Sequence, residues 1–149
     1  STGTVRIGGR DPRSDDEARR EVAYLPAEPE LPDVLTVDEA WQQLAALRRR
    51  PGWDGVRIRS RFDLPGGIRL AQCSAGQRRL AELVAALAGD PGVLLLDEPF
   101  ANLDDGRAQI LAEMLQEWSE ARTVIVTSHP GLPVEASVVT VGRAPDPAL

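Results

Sequence analysis

The sequence predicts an α/β fold, in which the strands of a parallel sheet alternate with helices. Three observations carry that prediction. Gly92–Leu96 and Thr123–Val126 are short apolar or β-branched runs of the kind that form buried parallel strands. Each run gives way at its carboxyl end to polar residues, Asp97-Glu98 in one case and Thr127-Ser128-His129 in the other. Before and between the runs, apolar residues recur at helical spacing and end at proline or glycine.

Taken in order, Pro12–Arg20 is polar and charged, a loop with a short helical turn. Glu21–Pro26 reads as a strand closed by its proline. Thr36 followed by Glu39 is a capping box, and Trp41, Leu44, Ala45 and Leu47 form the apolar stripe of the helix it starts. Arg48-Arg49-Arg50 suits the negative end of that helix, the other use of such a run being a binding patch; Pro51-Gly52 ends it. Trp53 and Phe62 are expected in the core, and Pro65-Gly66-Gly67 breaks the helical stretch.

Ser74 is a good N-cap for a helix carrying Leu80, Leu83, Val84 and Leu87, with Gly89-Asp90-Pro91 as its stop. Unpaired amides at such a start attract anions, and Gly76 would leave room for a phosphate. Cys73, just before it, is expected to be a small buried hydrophobe. Gly92–Leu96 follows as a strand buried on both faces, and Asp104 then caps a long helix with Ala108, Leu111, Leu115 and Trp118 on one face. Ser137–Val141 reads as a further strand and Pro145–Leu149 as a frayed tail.

The chemistry concentrates where strands end. Open α/β sheets bind ligands at the carboxyl edge of their strands, and Asp97 and Glu98 stand at that edge. One carboxylate can hold Mg²⁺ through water while the next orients or deprotonates an attacking water. An isolated Asp-Glu-Pro would only end a strand; the apolar residues upstream and the Asn102-Leu103-Asp104 turn downstream favour the chemical reading. His129, the only histidine, falls just past the next strand and so on the same edge.

Four segments, Cys73-Ser74-Ala75-Gly76-Gln77, Val93–Pro99, Ala101–Asp104 and Thr127-Ser128-His129, resemble in order and spacing the signature, Walker B, D-loop and switch-histidine motifs of ATP-binding-cassette (ABC) ATPases. Asp97 follows Gln77 by 20 residues, the separation that makes the match specific. The resemblance implies a RecA-like P-loop NTPase core fragment, with residues 1–35 and 90–149 in the core and 36–89 as the helical subdomain bearing the signature helix. It implies ATP and Mg²⁺, with Asp97 on the metal through water and Glu98 and His129 as catalytic residues. Ser74, Ala75, Gly76 and Gln77 would reach a nucleotide held by the partner of a head-to-tail dimer, and Asp104 belongs to the D-loop between the two sites. The usual signature is Leu-Ser-Gly-Gly-Gln, so Cys73 and Ala75 are departures.

Two further departures matter more. Tyr24-Leu25-Pro26 resembles the approach to the family's Q-loop, but Ala27 stands where the glutamine belongs. A methyl group can neither touch Mg²⁺ nor link the site to a membrane subunit. Glu28 could substitute only if the loop shifted by one residue. All 17 basic residues are arginine, so the phosphate-binding Gly-x-x-x-x-Gly-Lys-Ser/Thr loop, Walker A, is not in this sequence. Residues 1–9 resemble the turn and strand that follow the Walker A helix, so the chain is expected to begin late in the domain and, by itself, to be inactive.

The resemblance is to the ATP-hydrolysing subunit of an ABC transporter, partnered by a transmembrane permease subunit and a second nucleotide-binding domain. Ser-Ala-Gly-Gln with Leu-Asp-Glu-Pro-Phe also resembles haem-exporter subunits. Two alternatives remain, a non-catalytic half that lends its signature to a competent partner and a soluble ABC ATPase acting on DNA or ribosomes. The net charge of −6 disfavours nucleic acid. A single cysteine suits a reducing compartment, and no membrane span or leader is read, so the expected place is the cytoplasmic face of the membrane.

Overall fold

Parallel strands cannot be joined by tight turns, and the connections here are long enough to cross over. A computed structural model describes residues 3–128. Its strands β1 (Val22–Leu25), β2 (Val93–Asp97) and β3 (Thr123–Thr127) form one parallel sheet in the order β1-β2-β3. Val22 pairs with Val93 and Val93 with Thr123, so the strands start level and their carboxyl ends share one edge. His129, residues 137–141 and residues 145–149 lie outside the described residues.

The helices are α1 (Asp16–Arg20), α2 (Val37–Leu47), α3 (Val56–Ser60), α4 (Ala75–Ala86) and α5 (Asp105–Ser119). Thr36 with Glu39 forms the expected capping box, Ser74 caps its helix as read and, with Gln77, completes a second box, and the Asp104 carboxylate accepts from the Arg107 amide. On α2 the buried residues are Val37, Ala40, Trp41 and Ala45, whereas Leu47 is 73% exposed. Six residues past Trp41 lies about 120° round the helix, off the stripe.

Arg48 corrects another expectation. Rather than serving the end of its own helix, its guanidinium donates to the carbonyls of Ala86 and Ala88 and so caps α4. Burial pushes its pKa down. α4 needs such a cap because it runs through the core, with Leu80–Ala88 buried on every side. Phe62 is buried as expected, while Trp53 is half-buried and packs edge-on against Trp41 at 5.6 Å.

The core joins Ala23 and Leu25 of β1, Leu94 and Leu96 of β2, and the buried sides of α2, α4 and α5. That covers one face of the sheet. On the other face Tyr24, Leu95 and Ile125 lie opposite one another, with Tyr24 and Ile125 more than half exposed. The expectation of a β2 buried on both faces is therefore corrected: its odd positions are only half-buried, because among the described residues the helices pack on one side. Residues 5–7 likewise do not build a strand; a single bridge joins Ile7 to Arg10 around Gly8 and Gly9.

Asp38 is the polar hub that holds the α2–α3 region together. Its carboxylate accepts from Trp41 Nε1 at 2.9 Å and from Arg59 Nε at 2.8 Å, and Arg59 also reaches the Leu64 carbonyl. A Cβ on Gly66 would stand 2.0 Å from Asp38 Oδ2, so the turn at 65–67 is moulded to this carboxylate. Asp38→Ala takes the carboxylate from a largely buried guanidinium, leaving it only the Leu64 carbonyl, and is expected to cost about 2–4 kcal/mol by urea denaturation. Arg61→Ala, which removes only the exposed pair with Glu117, should cost far less. Equal losses would overturn the assignment of Asp38 as the hub.

Candidate functional site

The level strand ends gather Ala27, Asp97 and Glu98 along one edge. Ala27 lies just beyond β1 and is exposed; Asp97 ends β2 and Glu98 follows it, both half-buried. Asp97 Oδ1 accepts from the Thr127 hydroxyl of β3. The Glu98 amide donates to the Thr127 carbonyl at 2.9 Å, and Glu98 adopts φ +49°, a left-handed conformation that turns the chain sharply off the strand. Asp97 and Thr127 supply the hard oxygen donors that suit Mg²⁺, an ion held by one or two carboxylates, water and substrate phosphate. Among the described residues no three or more His, Cys, Asp or Glu side chains come together as a potential metal site.

The second cluster is the start of α4. Ser74 and Ala75 are exposed, Gln77 is half-buried, and Gly76 is buried. The space beside Gly76 is not open: a Cβ there would stand 2.4 Å from the Asn102 carbonyl and 3.7 Å from Leu103 Cδ2. Asn102, at φ +62°, turns its carbonyl back onto the helix start, so the Ala101–Asp104 turn and the Ser74–Gln77 segment are packed together. On the side where a Cβ would point, the small size of Gly76 therefore admits the Asn102 backbone. Asp104 is exposed and caps α5.

Sequence reasoning missed the residues that tie these clusters together. Arg79, one turn into α4 and 4% exposed, donates to the carbonyls of Pro26 and Asp97, with Ala27 O at 3.5 Å. Arg78 beside it donates to Asp33 Oδ1 at 2.6 Å and to the Leu31 carbonyl. Glu82, also 4% exposed, faces both arginines, at 3.2 Å from Arg78 Nε and 3.9 Å from Arg79 Nη1. Burial lowers the Arg79 pKa, while the charges of Glu82, Asp97, Glu98 and Glu28 act against that shift. The available signal was two consecutive arginines followed at helical spacing by Glu82 on an otherwise apolar helix.

A cleft of about 620 Å³ lies between residues 29–33 and the approach to α4, with Cys73 and Arg78 in its wall. Cys73 is only half-buried rather than buried outright, and desolvation pushes its thiol pKa up, with the charge of Arg78 acting against that shift.

Comparisons with known proteins bear on the family and the fold. The family model described as ABC transporter matches residues 1–101. ABC transporter G family member 22 of Dictyostelium discoideum is 30% identical over 149 residues, covering 86% of this chain and 24% of its own length. The phosphate import ATP-binding protein PstB of Thermococcus kodakarensis is 38% identical over 84 residues, 56% of this chain and 31% of its own. A solved structure of an ATP-binding subunit of an ABC transporter superposes with a TM-score of 0.69 at 25% identity, over 87% of this chain and 57% of that one. The chain thus spans less than a third of the length of these two curated relatives. The fold is that of the α/β P-loop NTPases.

Proposed function

The chain belongs to the ABC transporter family, and from that premise we propose that it is part of the ATP-binding, ATP-hydrolysing subunit that powers transport through a membrane partner. The observation that carries the reading is the sheet edge, where Asp97 and Glu98 end the central strand beside Thr127. In this reading Mg²⁺ bound with ATP neutralises phosphate charge. Asp97, its carboxylate oriented by the Thr127 hydroxyl, would be the residue that holds the metal, through water. Glu98 takes the proton of the attacking water, and His129 orients that water at the γ-phosphate. Ser74–Gln77 serves the nucleotide of a second domain in a head-to-tail dimer, and Asp104 belongs to the turn between the two sites. Residues 36–89 act as the helical subdomain toward the permease at the cytoplasmic face of the membrane; the haem-exporter-like motif combination makes a haem-type cargo one candidate.

Ala27 favours a second reading, a non-catalytic half that lends Ser74–Gln77 to a competent partner. Action on DNA or ribosomes fits less well with a net charge of −6. The test is MgATP turnover by the native complex and by residues 1–149 alone. Turnover in the complex and none in the isolated chain is expected, since the 149 residues hold no lysine for a phosphate loop. Turnover by the isolated chain that vanishes with Glu98→Gln would overturn that expectation.

A further inference from the structure

No side chain at position 27 can link the loop after β1 to the acids after β2, because residue 27 is alanine. The two segments are nevertheless joined, through one guanidinium. We propose that Arg79 is a positioning residue that couples the 26–33 loop to the Asp97-Glu98 turn, making through backbone carbonyls a linkage that Ala27 cannot make. This deepens the nucleotide-hydrolysis reading above and rests on it.

The geometry is specific. β1 and β2 are adjacent parallel strands, so Pro26 and Asp97 end side by side, and the planar fork of Arg79 bridges their carbonyls from α4. Arg78 grips the far end of the same loop at Leu31 and Asp33. Glu82 balances both cations from within the core. A displacement of residues 26–33 must therefore move α4, the Asp97 carbonyl, or both.

The pair is also poorly made as a purely stabilising device. Arg79 Nε and Glu82 Oε2 have no hydrogen-bond partner among the described residues, although both side chains are 4% exposed. Apolar residues of similar size commonly replace such buried ion pairs without loss of stability. An arrangement that costs desolvation and leaves polar atoms orphaned is better explained by what its remaining donors hold in place.

The test separates structure from positioning with the double variant Arg79→Met/Glu82→Met, which removes both charges at similar volume and leaves Arg78, though without Glu82, on Asp33 and the Leu31 carbonyl. In the native complex its thermal midpoint should stay close to that of the unsubstituted protein. Its kcat for MgATP should fall about tenfold or more, with KM within about twofold, as expected when a reacting group is misplaced but nucleotide contacts survive. Amide hydrogen exchange should quicken in both 26–33 and 98–103. Arg79→Lys, which keeps the charge but not the fork, should show the same kcat loss in weaker form and serves if the double variant does not fold. Unchanged kcat, or exchange that quickens in only one segment or in neither, overturns the proposal. If the unsubstituted complex shows no turnover, the hydrolysis reading fails, and the exchange result alone decides whether Arg79 couples the two segments.

Discussion

Changing Glu98 to glutamine is expected to lower MgATP turnover of the native complex by about 10²–10⁴-fold, the usual contribution of one positioned general base. The substitution is close to isosteric and leaves the surrounding backbone intact. The Glu98 amide is held by the Thr127 carbonyl, and the Glu98 carbonyl accepts from Ala101, whatever the side chain. The left-handed φ of +49° penalises glutamate and glutamine alike, so the turn should neither relax nor tighten. The Asp97–Thr127 contact lies one residue away and is not altered. Nucleotide affinity should therefore persist while chemistry stops, and single-turnover measurement beside equilibrium binding of MgATP distinguishes the two. Partner-dependent turnover that survives Glu98→Gln would place the base on another chain and favour the non-catalytic reading.

What could be read from the sequence was mostly local. A capping box closes over four residues, so Thr36 with Glu39 and Ser74 with Gln77 are visible without any knowledge of the fold. Strand ends marked by Pro26 and Asp97 are equally local, and level pairing in a parallel sheet brings them to one edge. The residues that bind the site together were not visible in this way. Arg79 acts on carbonyls 53 and 18 positions away, and Arg48 caps a helix 38 residues downstream. No periodicity encodes such a choice of acceptor; it exists only once α4 has been threaded between the other elements. The exposure of Leu47 and the half-open sheet face have the same origin, since spacing identifies apolar residues but not what packs on them.

Gly76→Ala is expected to destabilise the chain by about 1–3 kcal/mol and to impair turnover of the native complex, the penalty of overpacking a tight contact. Two effects oppose each other here. Alanine in place of glycine favours a helix by about 1 kcal/mol, so propensity alone predicts a gain for α4. The new methyl, however, would meet the Asn102 carbonyl at 2.4 Å, and that obstacle is backbone rather than the end of a flexible side chain. Asn102 cannot retreat cheaply, since its φ of +62° belongs to the turn that places Asp104 at the head of α5. Steric cost should therefore win, and the displacement falls on the contact between Ser74–Gln77 and the Ala101–Asp104 turn. Gly67→Ala is the control, because a Cβ there meets nothing within 4 Å. Urea denaturation of both variants, with MgATP turnover in the complex, tests the argument: a Gly76→Ala protein as stable as Gly67→Ala would mean that the Ser74–Gln77 helix start and the Ala101–Asp104 turn are not in tight contact.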